Sequence, residues 1–73
     1  MKANICGDKI KSLREDINMK QIDLAAAMKV DHNIEIDQSD ISEIERGVRG
    51  VKDYELKALA EIFEVTTDWL LND

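Results

Sequence analysis

The chain has 73 residues, no proline, only three glycines and a formal net charge of -6 at pH 7. This length fits one domain over residues 1–73 with a small core. The abundance of Leu, Ile, Ala, Lys and Glu predicts an all-α fold and excludes a β-rich one. Cys6 is the single cysteine, so no disulfide can form within the chain. Without a signal peptide or an apolar run of membrane length, the expected location is cytoplasmic.

The charges are unevenly distributed along the sequence. Residues 31–45 carry six acids and no Lys or Arg, whereas residues 46–52 carry three cations and no acid. Net acidity counts against a nucleic-acid partner, since neutralisation of phosphates supplies much of the affinity in such complexes. The basic segment nevertheless keeps DNA open as a partner.

A first helix is predicted from about Ala3 to Ile17. Its buried stripe would consist of apolar residues at steps of four, three and four, namely Cys6, Ile10, Leu13 and Ile17. Asn18 suits the left-handed conformation that ends a helix.

A second helix is predicted from about Gln21 to Lys29 or slightly beyond. Leu24, Ala25 and Met28 would form its inner face. Lys20 occupies the expected N-cap position, where its side chain offers no hydrogen-bond acceptor.

Residues 30–36 are expected to connect this helix to the next through a short extended piece. Ile34 and Ile36 would then point to one side and Glu35 to the other.

A third helix is predicted to begin after Asp37, a good N-cap residue. Asp40 at the third helical position would complete a short-armed capping box, and Ile36 with Ile41 would form a hydrophobic staple. Ile41 and Ile44 would face the core, and Gly47 is placed to end the helix in a left-handed conformation.

Two further helices complete the predicted fold. Asp53 can cap a fourth helix, whose apolar residues recur at i, i+3, i+4 and i+7: Leu56, Leu59, Ala60 and Phe63. Thr66 would cap a short fifth helix, with Val65 and Leu70 as a second staple. Trp69 is expected in the core or on a dimer surface.

With these segments in place, the chain resembles the Cro/repressor-type (Xre-like) family of helix-turn-helix transcriptional regulators. The first helix, "GDKIKSLRED", and the second, "MKQIDLAAAMKV", are similar to those of the family, as are "DQSDISEIERG" and "VTTDWLLND". The resemblance implies a five-helix lambda-repressor-like DNA-binding domain with the helix-turn-helix at helices two and three. The connection between these two helices is longer than in the phage repressors.

The resemblance also implies roles for particular residues. Helix two would cross the phosphate backbone while helix three lies in the major groove. The positions that match base-reading residues of the family are Gln38, Ser39, Ser42 and Glu43, and Gln38 could pair bidentately with adenine. The expected phosphate contacts are Lys20, Gln21, Arg46, Arg49 and Lys52. Arg14 and Glu45 match a structural ion pair between helices one and three.

The acids of the third helix have simpler explanations than DNA contact. Asp37 and Asp40 lie at its N-terminus, where carboxylates cap free N–H groups and complement the helix dipole. Glu45 is expected to pair with Arg14. That leaves Glu43, which could accept a hydrogen bond from cytosine N4 or simply be solvated.

The sequence therefore predicts a sequence-specific transcriptional regulator, expected to be a repressor and a homodimer on double-stranded DNA. The alternative is a protein-interaction or antitoxin-like module that binds a partner through the acidic segment 31–45. No residues group into a catalytic site, and His32 has no cysteine or second histidine nearby, so we expect no enzyme activity, no cofactor and no metal.

Overall fold

A computed structural model describes residues 3–72, and in that range the chain forms five α-helices and no β-strand. The helices are α1 (Gly7–Asp16), α2 (Gln21–His32), α3 (Gln38–Glu45), α4 (Asp53–Phe63) and α5 (Thr67–Leu71). The predicted all-α fold is confirmed.

The helices pack around one core. Helix α3 lies against α1 and α2, α4 contacts α1 and α2, and α5 packs on α4. The largest fully buried side chains come from all five helices and the residue before α1: Cys6, Ile10, Leu24, Met28, Ile41, Ile44, Leu59 and Leu70. Across residues 3–72 no helix is long and apolar enough to cross a membrane.

Helix α1 begins at Gly7, not at Ala3 as predicted. The Asn4 side chain accepts hydrogen bonds from the N–H groups of Cys6 and Gly7, at 3.1 and 2.8 Å, which satisfies donors that a longer helix would have used. Asn18 adopts the expected left-handed conformation. Because the helix ends before it, Ile17 leaves the predicted buried stripe and is 59% exposed.

Gly7 allows the start of α1 to approach the end of α3 closely. A Cβ atom at this position would lie 2.2 Å from the carbonyl oxygen of Ile44. That distance is far below van der Waals contact, and the obstructing atom belongs to a helix backbone. A residue with a side chain at position 7 would therefore push α1 and α3 apart.

Helix α2 starts at Gln21 as predicted and runs on to His32. Lys20 supplies no side-chain cap, although its backbone N–H donates to Asp23. Asn33 then takes the left-handed conformation that ends the helix.

The extended connection after α2 also has the predicted alternation. Ile36 is buried, Ile34 is partly buried and Glu35 is exposed.

Helix α3 has the predicted N-terminus. The Asp37 carboxylate accepts from the Asp40 N–H at 2.9 Å, and the Asp40 carboxylate accepts from the Asp37 N–H at 3.1 Å. Ile41 and Ile44 are buried, and Gly47 ends the helix with a φ of 75°.

One predicted cap in the second half of the chain is wrong. The N-cap of α4 is Lys52, and Asp53 is the first helical residue. The N–H of Lys52 donates to Glu55, so the acid in the first turn satisfies the helix start. Thr66 caps α5 as predicted, accepting from the Trp69 N–H at 3.0 Å. Trp69 is 46% exposed and lies on the surface.

Replacing Gly7 by alanine is expected to destabilise the fold by about 1–3 kcal/mol, because the added methyl group overpacks the contact with Ile44. Urea unfolding followed by circular dichroism measures the change. Gly50→Ala is the matched control, since a Cβ there has only an ordinary contact, at 3.9 Å, with Ala3. Equal stabilities of the two variants would contradict the close-approach explanation.

Candidate nucleic-acid interface

The four predicted base-reading residues lie together on the outer face of α3. They line a shallow polar depression, together with one residue of α2 and one residue of the loop after α3. The lining residues are Gln21, Gln38, Ser39, Ser42, Glu43 and Arg46. The N-terminus of α2 therefore adjoins the exposed face of α3. Hydroxyl, amide, carboxylate and guanidinium groups on one surface can offer both donors and acceptors to base edges.

A buried ion pair supports this surface from below. The Arg14 Nε atom lies 2.7 Å from Glu45 Oε2, and Arg14 Nη2 donates to Glu45 Oε1 at 3.0 Å. Arg14 Nη1 also donates to the carbonyl oxygen of Met19, at the turn before α2. The hydrogen bonds to Glu45 raise the pKa of Arg14 against the opposing effect of burial. This pair thus joins α1, α3 and the start of α2.

The ion pair continues into the depression through two glutamines. Gln21 Nε2 donates to Glu45 Oε1 at 3.0 Å, and Gln38 Nε2 lies 3.5 Å from Gln21 Oε1. The second distance is long for a hydrogen bond. Gln38 is exposed, and its amide lies next to a side chain that is itself hydrogen-bonded to the buried carboxylate.

Three of the predicted phosphate contacts are exposed cations, and of these Arg46 lines the depression itself. Lys20 precedes α2, while Arg46 and Lys52 flank the loop between α3 and α4. Arg46 Nε donates to Ser42 Oγ at 3.3 Å, and Lys52 Nζ lies 5.8 Å from the centre of the Tyr54 ring. These long side chains keep their charged ends near water, where an anion can reach them.

Arg49, the fourth cation among the five predicted phosphate contacts, binds within the protein instead of extending from the loop; the fifth contact, Gln21, is the residue hydrogen-bonded to Glu45. The Nη1 and Nη2 atoms of Arg49 donate to the two carboxylate oxygens of Glu55, at 3.0 and 2.9 Å. The hydrogen bonds to Glu55 raise the pKa of Arg49. Burial alone would raise the pKa of Glu55, but the hydrogen bonds from Arg49 and from the Lys52 N–H lower it below its ordinary value. Both groups are therefore charged at neutral pH.

Most acids of the segment 31–45 have partners inside the protein. Glu35 pairs with Lys29 at 2.8 Å, Asp37 and Asp40 cap α3, and Glu45 pairs with Arg14. Glu43 remains on the depression itself, half-buried and within the field of the nearby arginines. Cations compensate the charges of Glu35 and Glu45, whereas Asp37 and Asp40 keep their charges at the N-terminus of α3.

Sequence reasoning missed two residues that position this surface. Asn4 donates from Nδ2 to the carbonyl oxygens of Ile44 and Arg49, and Glu55 is the partner of Arg49. Glu55 follows Lys52 by three residues, the spacing of an acid that closes a helix start. This spacing predicts Lys52 as the N-cap of α4, whereas Asp53 has the residue type that usually caps a helix. No local pattern distinguishes Asn4.

The family model described as "Helix-turn-helix domain" matches residues 7–73. The chain belongs to the helix-turn-helix domain family. A crystal structure of the P22 c2 repressor protein in complex with synthetic operator 9T, in the presence of Tl+, has the same fold with a TM-score of 0.79. Sequence identity is 22%, and the match covers 94% of this chain and 96% of that one. No curated protein sequence matches.

These comparisons confirm the predicted regulator family and its repressor-like five-helix fold. A protein of this family is a DNA-binding transcriptional regulator. The lengthened connection between α2 and α3 does not alter the fold, since the two helices of this helix-turn-helix domain remain in contact.

Replacing Glu45 by alanine in this helix-turn-helix domain is expected to destabilise it by about 3–5 kcal/mol, because Arg14 would remain buried without a counter-ion. Chemical unfolding measures the loss. Glu43→Ala is the control on the same helix, with an expected change within about 0.5 kcal/mol.

The double variant Arg14→Met/Glu45→Leu separates an unpaired charge from lost packing. It should recover most of the stability lost in Glu45→Ala, since no buried charge remains unpaired. A double variant as unstable as Glu45→Ala would contradict this explanation.

Proposed function

We propose that this protein is a repressor that reads a specific DNA sequence with the N-terminal half of α3 in the major groove. The observation that carries the proposal is the depression in which Gln21, Gln38, Ser39, Ser42, Glu43 and Arg46 meet on one exposed face. Recognition helices of helix-turn-helix proteins contact base edges through their N-terminal residues. Gln38 occupies the first position of α3 and is the proposed adenine reader.

Phosphate contacts would hold this helix in the groove. The proposed contacts are Lys20 and Gln21 at the start of α2, with Arg46 and Lys52 on the loop after α3. A helix N-terminus favours an anion through its dipole and free N–H groups. Cations on both sides of the reading helix would fix its register without reading sequence.

The net charge of -6 bears on affinity. Few local cations in an acidic chain should give weak non-specific binding and a marked dependence on salt. We propose a homodimer on a two-fold-related operator, because one such domain covers only a half-site. A repressor of this kind would act in the cytoplasm, where its operator lies.

The alternative function, a module that binds a protein through the acidic segment 31–45, is less well supported. Four acids of that segment, Glu35, Asp37, Asp40 and Glu45, already have intramolecular partners. Capture of one stoichiometric basic protein, with no binding to any DNA selected from random duplexes, would favour this alternative over a repressor.

Gln38→Ala is expected to weaken binding to a duplex selected from random sequences by roughly 5–150-fold, the loss of one bidentate base contact. Fluorescence anisotropy at fixed salt measures it, and binding to an unrelated duplex should not change. Ser12→Ala, a polar residue of α1 outside the depression, is the control. If Gln38→Ala weakened binding to both duplexes equally, base reading by this residue would be ruled out.

Arg46→Ala and Lys52→Ala are each expected to weaken binding to all sequences and to reduce the slope of log affinity against log salt by about one. Anisotropy over a range of salt concentrations gives the slope. Lys29→Ala removes the same charge at the other end of α2 from Lys20 and should leave the slope unchanged. Unaltered slopes in the first two variants would count against phosphate contact.

A further inference from the structure

We propose that Arg49 is a positioning residue for base reading and not a phosphate contact. Its guanidinium bridges α4 and the first turn of α3, and so sets the orientation in which α3 presents Gln38. The inference rests on the proposed function, because orientation matters only if α3 reads bases.

The contact of Arg49 with α4 has a fixed geometry. Both terminal nitrogens donate to the two oxygens of Glu55, at 3.0 and 2.9 Å. The Glu55 side chain is only 4% exposed and stands in the first turn of α4. A planar guanidinium that donates two hydrogen bonds to one carboxylate restricts the orientation of both groups more than a single lysine ammonium would.

The third nitrogen of the guanidinium faces α3. Arg49 Nε lies 3.8 Å from Asp40 Oδ1, and Asp40 closes the capping box of α3 with Asp37. Gln38 is the first helical residue between these two acids. The 3.8 Å separation is too long for a hydrogen bond, but it places the fixed charge of Arg49 beside the end of α3 that would enter the groove.

The backbone of Arg49 is held as well. Its carbonyl oxygen accepts from Asn4 Nδ2 at 2.7 Å, and the same amide group donates to Ile44 near the end of α3. Arg49 Nη1 also donates to the carbonyl oxygen of Gly50. The two terminal nitrogens of the guanidinium thus have hydrogen-bond partners within the chain, and Nε makes an ion-pair contact at 3.8 Å. Arg46, by contrast, is exposed, and within residues 3–72 it makes a single side-chain hydrogen bond, to Ser42 Oγ at 3.3 Å.

A phosphate contact and a positioning residue predict different binding behaviour. Loss of a phosphate contact weakens binding to all sequences uniformly and lowers the salt slope by about one. Loss of a positioning residue lowers the ratio of specific to non-specific affinity and leaves the salt slope unchanged, because no ion is released at that residue.

The decisive variant is Arg49→Met/Glu55→Met, which removes one cation and one acid and so keeps the net charge. Glu55 is buried and Arg49 is partly exposed, and replacing both by apolar residues leaves no buried charge without a partner. Binding is measured by anisotropy on a selected duplex and on an unrelated one across a range of salt. We expect specific affinity to fall roughly tenfold, with non-specific affinity and salt slope unchanged.

Arg49→Lys keeps the positive charge but cannot make the bidentate contact with Glu55, so it tests whether the geometry of that contact is required. It should also lose specificity, whereas a phosphate contact would tolerate the lysine. The proposal is overturned if the double variant loses specific and non-specific affinity together with a smaller slope, or if it keeps full specificity. Arg46→Met is the control with the opposite expectation, a uniform loss with a smaller slope.

A readout without DNA separates this inference from the proposed function. In the free double variant, the amide resonances of Gln38, Ser39 and Asp40 should shift, because their helix end has lost its contact with α4. Unchanged resonances there would overturn the bridge. Absence of DNA binding in the unmodified protein would instead overturn the proposed function, and the amide resonances would still decide whether Arg49 orients α3.

Discussion

The proposed reading surface depends on the buried ion pair between Arg14 and Glu45, with its shortest contact at 2.7 Å. Glu45 ends α3, and the same carboxylate holds Gln21 at the start of α2, which in turn lies beside Gln38. Two helices of the helix-turn-helix are therefore fixed to α1 through one carboxyl group. A buried pair of this kind adds little net stability over apolar residues. In this chain its hydrogen bonds join α1, the end of α3 and Gln21.

The acidity of α3 is compatible with DNA binding because most of its carboxylates have local structural roles. Asp37 and Asp40 satisfy N–H groups at the helix start, and Arg49 stands near Asp40. Glu43 is the acid of α3 on the depression itself, where it could select cytosine through its N4 donor. A protein with a net negative charge can bind DNA if its cations contact the phosphates. Its non-specific affinity should be weaker than that of a basic repressor.

The sequence predicted much of the fold because its helix boundaries are locally encoded. Asp37 with Asp40, Thr66, Gly47 and Asn18 each behave as their residue types predict, and the apolar spacing identified the core faces of α2, α3 and α4. The predicted start of α1 was wrong because the Asn4 side chain accepts hydrogen bonds from the N–H groups of Cys6 and Gly7. The sequence did not predict the pairing of Arg49 with Glu55, because this contact depends on the path of the 46–52 loop relative to α4. A resemblance supplied the base-reading candidates, and only tertiary packing brings them to one face.

The most direct test of this account is a titration of isotope-labelled protein with its selected DNA duplex, followed by amide resonances. The account predicts that the largest changes fall on Gln21, on residues 38–43 and on residues 46–52, with the second half of α4 little affected. Large changes confined to α4 and α5, with residues 38–43 unmoved, would contradict the claim that α3 reads the bases.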